Sequence, residues 1–397
     1  MVNPLAKAST VMAAPDVRTV VQELIHQSHD LQGAPQIRLL ESALRLAEVA
    51  QDDGLSRTIH FELIRALVQT RQIPKLLASV AWLKARSHEP GDTKLTSVLY
   101  PFVIQQLPQF HTLPLTDIQT SLSELDRDLR LTRNGEFRSV YVQWAVNWDL
   151  GQIDRAIDFY REFQKYSLQA GGEWPCEACA LLARVRFQIF LGNDQEAVEM
   201  AGPLRQQRVT CERDFQVKVL TTLMLPLLRL GHSAEAVQYH LLTVKRLHSQ
   251  VERILLVQPH IAFLCLTGNN AAAIKLFEHY LPEVFNSPLG LERLHFWMIG
   301  IQLFRHLLRQ KQAQLFLYLP PGCPISTGRN FYSIQALLDW ILAEALSLAE
   351  KFDFRNGNDF YQRQLNQLPE FEVTQVPIPL PSKPQSADSR RQTLPSL

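Results

Sequence analysis

No run of eighteen consecutive apolar residues occurs in this chain, so it contains no segment long enough to cross a bilayer as a single helix. From Met1 to Ala14 there is one lysine and no apolar stretch of seven residues, so the core of a secretory signal is missing and a cytoplasmic location is expected. Cysteine is scarce, five in 397 residues. An odd number without a signal suits free thiols in a reducing compartment better than a disulfide framework. Charge of one sign is not in excess either: 40 Lys plus Arg face 39 Asp plus Glu, a net of +1. No general field exists to hold nucleic acid or an anionic membrane, and neither is expected as a partner. The chain also lacks a glycine-rich phosphate loop, a GxSxG elbow and an HExxH helix. Asp339 and Glu344 are carboxylates in an apolar stretch, but five apart on a helix they point in different directions. Neither catalysis nor a cofactor is expected.

What the chain does have is core and repetition. Hydrophobic residues make up 46% and charged residues 20%, enough for an ordered body. From Leu150 to Leu281 one phrase recurs four times: Gly, four variable residues, Ala, then Ile or Val. It reads Gly151-Ala156-Ile157, Gly192-Ala197-Val198, Gly231-Ala236-Val237 and Gly268-Ala273-Ile274, with glycines 41, 39 and 37 residues apart. Such a period marks a helical repeat. Glycine can close the first helix of a pair with a positive φ, and the small alanine lets the second helix approach closely. The predicted pairs are 133–150 with 153–170, 175–191 with 194–207, 212–230 with 233–249, and 251–266 with 270–284. Pro226 and Pro259 fall inside first helices and are expected to bend them.

Around this block the pattern is weaker. Worn copies of the phrase are expected at Arg71 and Gln310. Five stretches follow: a flexible N-terminus (1–15), degenerate helical repeats (16–132), the clear repeats (133–285), further helices with a cap on the open end of the array (286–368), and a disordered Pro- and Ser-rich tail (369–397). Leu289–Leu308 is apolar nearly all round and wants burial on both sides. A proline-rich turn at Pro320–Pro324 precedes a long helix expected over Phe331–Phe352. The tail carries one PxxP, Pro381-Ser382-Lys383-Pro384, too short to distinguish from chance.

The Gly-x4-Ala-Ile/Val phrase, with an aromatic four residues after the alanine at Tyr160 and Phe277, resembles the centre of a tetratricopeptide repeat. Ala201 and His240 stand in the aromatic places of the other two units. The period is longer than that family's 34 residues, and its unit-ending proline is missing, which leaves another helix-pair repeat as the alternative. The resemblance implies an all-α fold, a right-handed superhelical solenoid of antiparallel helix pairs, with first helices lining a concave peptide-binding groove. Carried over position by position, the groove would present Arg138, Tyr141 and Ala145, then Leu182 and Arg186, then Lys218, Thr221 and Leu225, then Gln258 and Ala262. Arg138, Tyr141, Arg186, Lys218 and Gln258 would suit a peptide of acidic or carboxylate character. The expected function is that of an adaptor or scaffold for a protein or peptide, with self-association as an option. The alternative is a sensor that holds a small molecule or signalling peptide in the concave cavity.

Other chemistry-bearing residues have structural explanations. Cys176 and Cys179 form a CxxC after Trp174-Pro175, but no strand precedes it as a thioredoxin-like fold requires. A zinc site needs two further ligands, and no second CxxC or HxxxH occurs. Cys211 with His232 or His240 could join only if folding brings them together. No metal is expected; Cys179 is read as a core residue and Cys176 as lying near a helix start. Thiol- or zinc-dependent activity at the pair is the least favoured reading. His26 and His29 share a face with Glu23, as surface helices often allow. His232, His240 and His248 drift round their helix. Trp144 and Trp148 read as a packing stripe.

Overall fold

The structure is a computed structural model that describes residues 16–70, 72–86, 99–132, 135–166, 175–211, 215–250, 252–371 and 378–380. Among these residues the secondary structure is helical apart from one hairpin and short 3-10 turns. None of the helices is long and apolar enough to cross a membrane. The chain divides into two compact units, Met1–Gln106 with Thr120–Val142, and Leu107–Gln119 with Gln143–Leu397. The division falls within helix α7 (Gly135–Asp149) rather than between residues 132 and 133. The expected N-terminal segment 1–15 lies outside the described residues.

In the first unit, α1 (Val17–Ser28), α2 (Ala34–Val49), α3 (Asp53–Thr70), α4 (Ile73–Ala85) and α5 (Tyr100–Gln106) pack each on the next. Their apolar stripes meet in a core that includes Val21, Ile37, Leu40, Ile59, Ile64 and Leu76. Helix α6 spans Leu115–Arg130. Its Glu124 accepts a 2.6 Å hydrogen bond from Lys84, which also donates to the Tyr100 hydroxyl.

The second unit contains the phrase. Helix α7 is followed by α8 (Ile153–Gln164), and α9 (Glu177–Phe190) by α10 (Asp194–Met200) and α11 (Gly202–Arg205). Then come α12 (Phe215–Arg229) with α13 (Ser233–Thr243), and α14 (Arg253–Leu266) with α15 (Asn270–Phe285). The second helices start where the sequence reading places them, at 153, 194, 233 and 270, but two of them are shorter than expected: 194–207 is two short helices ending at Arg205, and 233–249 is α-helical only to Thr243 and continues as a 3-10 turn. Gly151, Gly192, Gly231 and Gly268 all have φ between 68° and 84°. At each, the glycine N–H reaches back three residues and the next N–H five: Gly151 to Trp148 and Gln152 to Asn147, for example, at 2.9 Å each. This is the Schellman closure, which satisfies two carbonyls that the helix end would otherwise leave unpaired. Ala156, Ala197, Ala236 and Ala273 are fully buried, as close pairing demands. Pro226 and Pro259 lie inside α12 and α14 without interrupting them.

The same closure occurs near one of the two expected worn copies. At the expected Gln310 copy, the left-handed residue is Lys311 (φ 61°), one place later. Its N–H reaches Leu308, and that of Gln312 reaches Leu307. No second helix follows there. Strands β1 (Gln314–Phe316) and β2 (Phe331–Ser333) pair antiparallel instead, so residues 331–333 are strand and not the start of the long helix. Arg71 lies outside the described residues, but the neighbouring Gln72 N–H bonds Leu67 as the closure requires. Gln51 (φ 53°) closes α2 by the same pair of bonds.

Helices α12, α14 and α16 (Gly290–Arg309) pack side by side, with α9 against α12. Helix α16 has fourteen buried residues, in accord with its all-round apolarity. Helix α17 (Ile334–Asn356) packs on α16 and ends at Gly357, and α18 (Phe360–Asn366) packs on α17. The expected cap on an open end is corrected here, because these last helices return to the beginning of the same unit. Arg355 donates to the carbonyls of Pro108 and Phe110, the Tyr361 hydroxyl to that of Asp149 at 2.7 Å, and Asn358 to that of Leu150. The tail is corrected at six residues. Gln302 and Arg309 donate to the carbonyls of Pro369 and Phe371. Ile378 bonds Thr267 through its N–H and Asn269 through its carbonyl.

Candidate interaction surface

Of the residues that the resemblance places in a groove, several are taken up by packing. Arg138 is 3% exposed, and Leu182, Thr221 and Ala262 are buried as well. Lys218 is half-buried and lies 3.6 Å from the Glu252 carboxylate. Gln258 donates to the Ile254 carbonyl one turn back. Tyr141 is half-buried, and Arg186 alone of the five is exposed. For the later positions the physical reason is packing: α12 lies against α9 and α14, and α14 against α16, so Thr221 and Ala262 are taken up between neighbouring first helices.

Other sequence candidates are likewise accounted for by packing. Trp144 stacks among Tyr160, Phe163 and Phe187, and Trp148 meets Phe187 and Phe190 edge-on, which bears out the packing stripe. Asp339 accepts from Gln335, and Glu344 faces Arg293 at 3.5 Å. His29 lies 3.8 Å from Glu62 rather than gathering with His26 and Glu23 around one point. His232 precedes α13, and His248 lies in the 3-10 turn beyond it. His240 is buried with its Nδ1 2.9 Å from that of His260, whose Nε2 lies 3.3 Å from the Thr221 hydroxyl. Burial pushes His240 down to about 4 and His260 well below the usual imidazole range, so both rings are neutral. Cys176 and Cys179 open α9, with Cys211 beside them.

Two surface features escaped the sequence reading. One is the β1–β2 hairpin. Leu315 and Tyr332 point inward, while Phe316 and Phe331 on alternate positions are 47% and 57% exposed. Tyr318, 59% exposed, sets its ring 5.0 Å from that of Phe316 and edge-on to it, and Phe331 lies 6.3 Å away on the other side. Leu317 beneath is fully buried, and the Tyr318 N–H donates to Glu278 of α15 at 2.6 Å. The aromatics therefore stand on an anchored base. Alternation over three residues is too short a period to read before folding.

The other is a cleft of about 560 Å³ between the Gly151 turn and α18. Gln152, Asn358, Gln364 and Gln367 line it, with Arg155 and Arg363; Asp154 adds a carboxylate. Both arginines are engaged locally, Arg155 with Gln152 and Arg363 with Asp359. Near it, Asp353 accepts the backbone N–H groups of Tyr361 and Gln362, each at 2.9 Å. Burial lifts the Asp149 carboxyl to about 7 against the opposing pull of Arg355, and lowers the Arg355 guanidinium to about 10. The chain matches no protein family and no curated protein with which it was compared.

Proposed function

We propose that the chain is a non-enzymatic, tetratricopeptide-like scaffold of the cytoplasm, a right-handed superhelical array of helix pairs whose partner is a protein or peptide. The observation that supports it most is the aromatic trio Phe316, Tyr318 and Phe331, held at ring contact on a short sheet. Exposed aromatics on a rigid base lose little entropy on docking and supply large apolar area, which is why they dominate binding energy in protein interfaces. The hairpin strands add a backbone edge on which an extended segment can form a further strand. The partner is accordingly an extended segment with alternating apolar side chains. The test is selection of displayed peptides on the wild-type protein, followed by binding to a Phe316→Ser, Tyr318→Ser, Phe331→Ser variant. Enriched peptides should bind the variant at least tenfold more weakly at unchanged melting temperature. Equal binding, or no enrichment, would overturn the assignment. Arg186→Glu with Lys218→Glu, which addresses the groove expected from sequence, should leave binding unaltered.

A second reading, a sensor for a small molecule or signalling peptide, is favoured by the amide-lined cleft beside α18. It predicts ligands that raise the melting temperature of the wild type but not of Arg155→Ala, Arg363→Ala.

A further inference from the structure

The thiols of Cys176, Cys179 and Cys211 lie within 4.8 Å of one another, and the Sγ atoms of Cys179 and Cys211 are 3.6 Å apart. Two come from the opening of α9 and the third from the segment after α11, 32 residues further along. In a tetrahedral site with Zn–S bonds of 2.3 Å, neighbouring sulfurs stand about 3.8 Å apart. A disulfide would bring two sulfurs to about 2.05 Å and leave the third without a role. The Cys179–Cys211 edge already has about the spacing of one face of a zinc–thiolate tetrahedron, and with all three sulfurs within 4.8 Å of one another the third needs only a small shift to complete that face.

We propose that Cys176, Cys179 and Cys211 form a zinc-binding site in which three thiolates hold one Zn²⁺ and water takes the fourth position. Binding forms three Zn–S bonds and releases the protons of whichever thiols are still protonated. Soft sulfur donors and a compact tetrahedral arrangement select zinc over magnesium or calcium. Local structure favours the first ligand. Cys176 caps α9, its sulfur 3.4 Å from the Cys179 N–H, where backbone dipoles stabilise a thiolate. Cys176 and Cys179 are half-buried and packed against the apolar core, whereas Cys211 is exposed. The metal therefore enters from the Cys211 side, and its fourth position faces solvent. Its structural effect is to clasp the segment before α12 to the first turn of α9.

The test uses full-length protein stripped of metal under reducing conditions and titrated with Co²⁺, then Zn²⁺. The expected result is one equivalent bound, with a thiolate-to-cobalt charge-transfer band and the visible bands of tetrahedral Co²⁺, both erased by zinc. Cys211→Ser, at an exposed position, should keep the helical circular dichroism and lower the Zn²⁺ affinity at least tenfold. Cys265→Ser and Cys323→Ser, which change the two cysteines outside the cluster, should bind as wild type does. Zinc should raise the wild-type melting temperature and leave that of Cys211→Ser unmoved. Absence of tetrahedral bands in fully reduced protein would overturn the site. So would bands that persist unchanged in Cys211→Ser, or mass spectrometry showing a Cys179–Cys211 disulfide with no metal uptake after its reduction.

Discussion

At the scale of the residue, the repeated phrase is a solution to two local problems, and the substitutions that break it should separate them. Gly151 and Gly192 share a left-handed conformation, but a Cβ on Gly192 would meet nothing within 4 Å, whereas one on Gly151 would lie 2.5 Å from the Phe360 Cβ. Gly192→Ala should therefore carry only the backbone cost, about 1–2 kcal/mol. Gly151→Ala should cost at least about 1 kcal/mol more, because α18 must shift. Urea denaturation of the two variants checks the order, and equal losses would refute the contact. Alanine answers the other problem: Ala273→Leu adds volume at a fully buried site and should destabilise by about 1–3 kcal/mol.

At the scale of the element, the last described helices are held by polar contacts as well as by apolar ones. Asp353→Ala removes the acceptor of two backbone N–H groups at the start of α18, and a loss of about 1–3 kcal/mol is expected from denaturant unfolding. Truncation after Phe371 deletes both Ile378 bonds and the packing of Leu380. Faster amide exchange at the Thr267–Asn269 turn should report it. Proline-rich composition pointed to a free tail, but Phe371 is 6% exposed against the core. The contact with a turn over a hundred residues earlier is invisible to composition.

At the scale of the molecule, buried histidines should make the protein acid-sensitive. His60, His240 and His295 are lowered to about 4 by burial, His60 also by Arg86, and burial with the neighbouring His240 lowers His260 well below the usual imidazole range. Unfolded imidazoles titrate near 6.5, so between pH 6.5 and 4 the unfolded chain binds protons that the folded one does not. Stability contributed by neutral burial is thus full above pH 6.5 and lost as pH falls towards 4, by roughly 3 kcal/mol for a shift of His240's size. Asp149 acts oppositely, since its raised carboxyl costs stability as pH climbs from 3.8 towards 7, but it is one group against four. Unfolding free energy measured from pH 7.5 to 4.5 should fall on acidification, with a shallower slope in His240→Gln. A flat profile would contradict the neutral assignment.

The amino-acid sequence by itself determined the helix pairs, their turns and the small residues between them, because those are set by hydrogen bonds and contacts within a few residues along the chain. The closure at Gly231 involves only residues 227 to 232, and a local signal suffices to specify it. Near residue 310 only the end of the first helix was legible, to within one position, because the residues after it form a strand and not a second helix. Only the tertiary structure decided what meets across distance: Cys211 beside Cys179, Tyr361 against Asp149 from 212 residues away, and Arg138 buried rather than in a groove. Such meetings depend on how elements far apart in the chain pack together, on which no single residue pattern reports. The scaffold is therefore written locally, and the sites it carries arise where the packed elements return to one another.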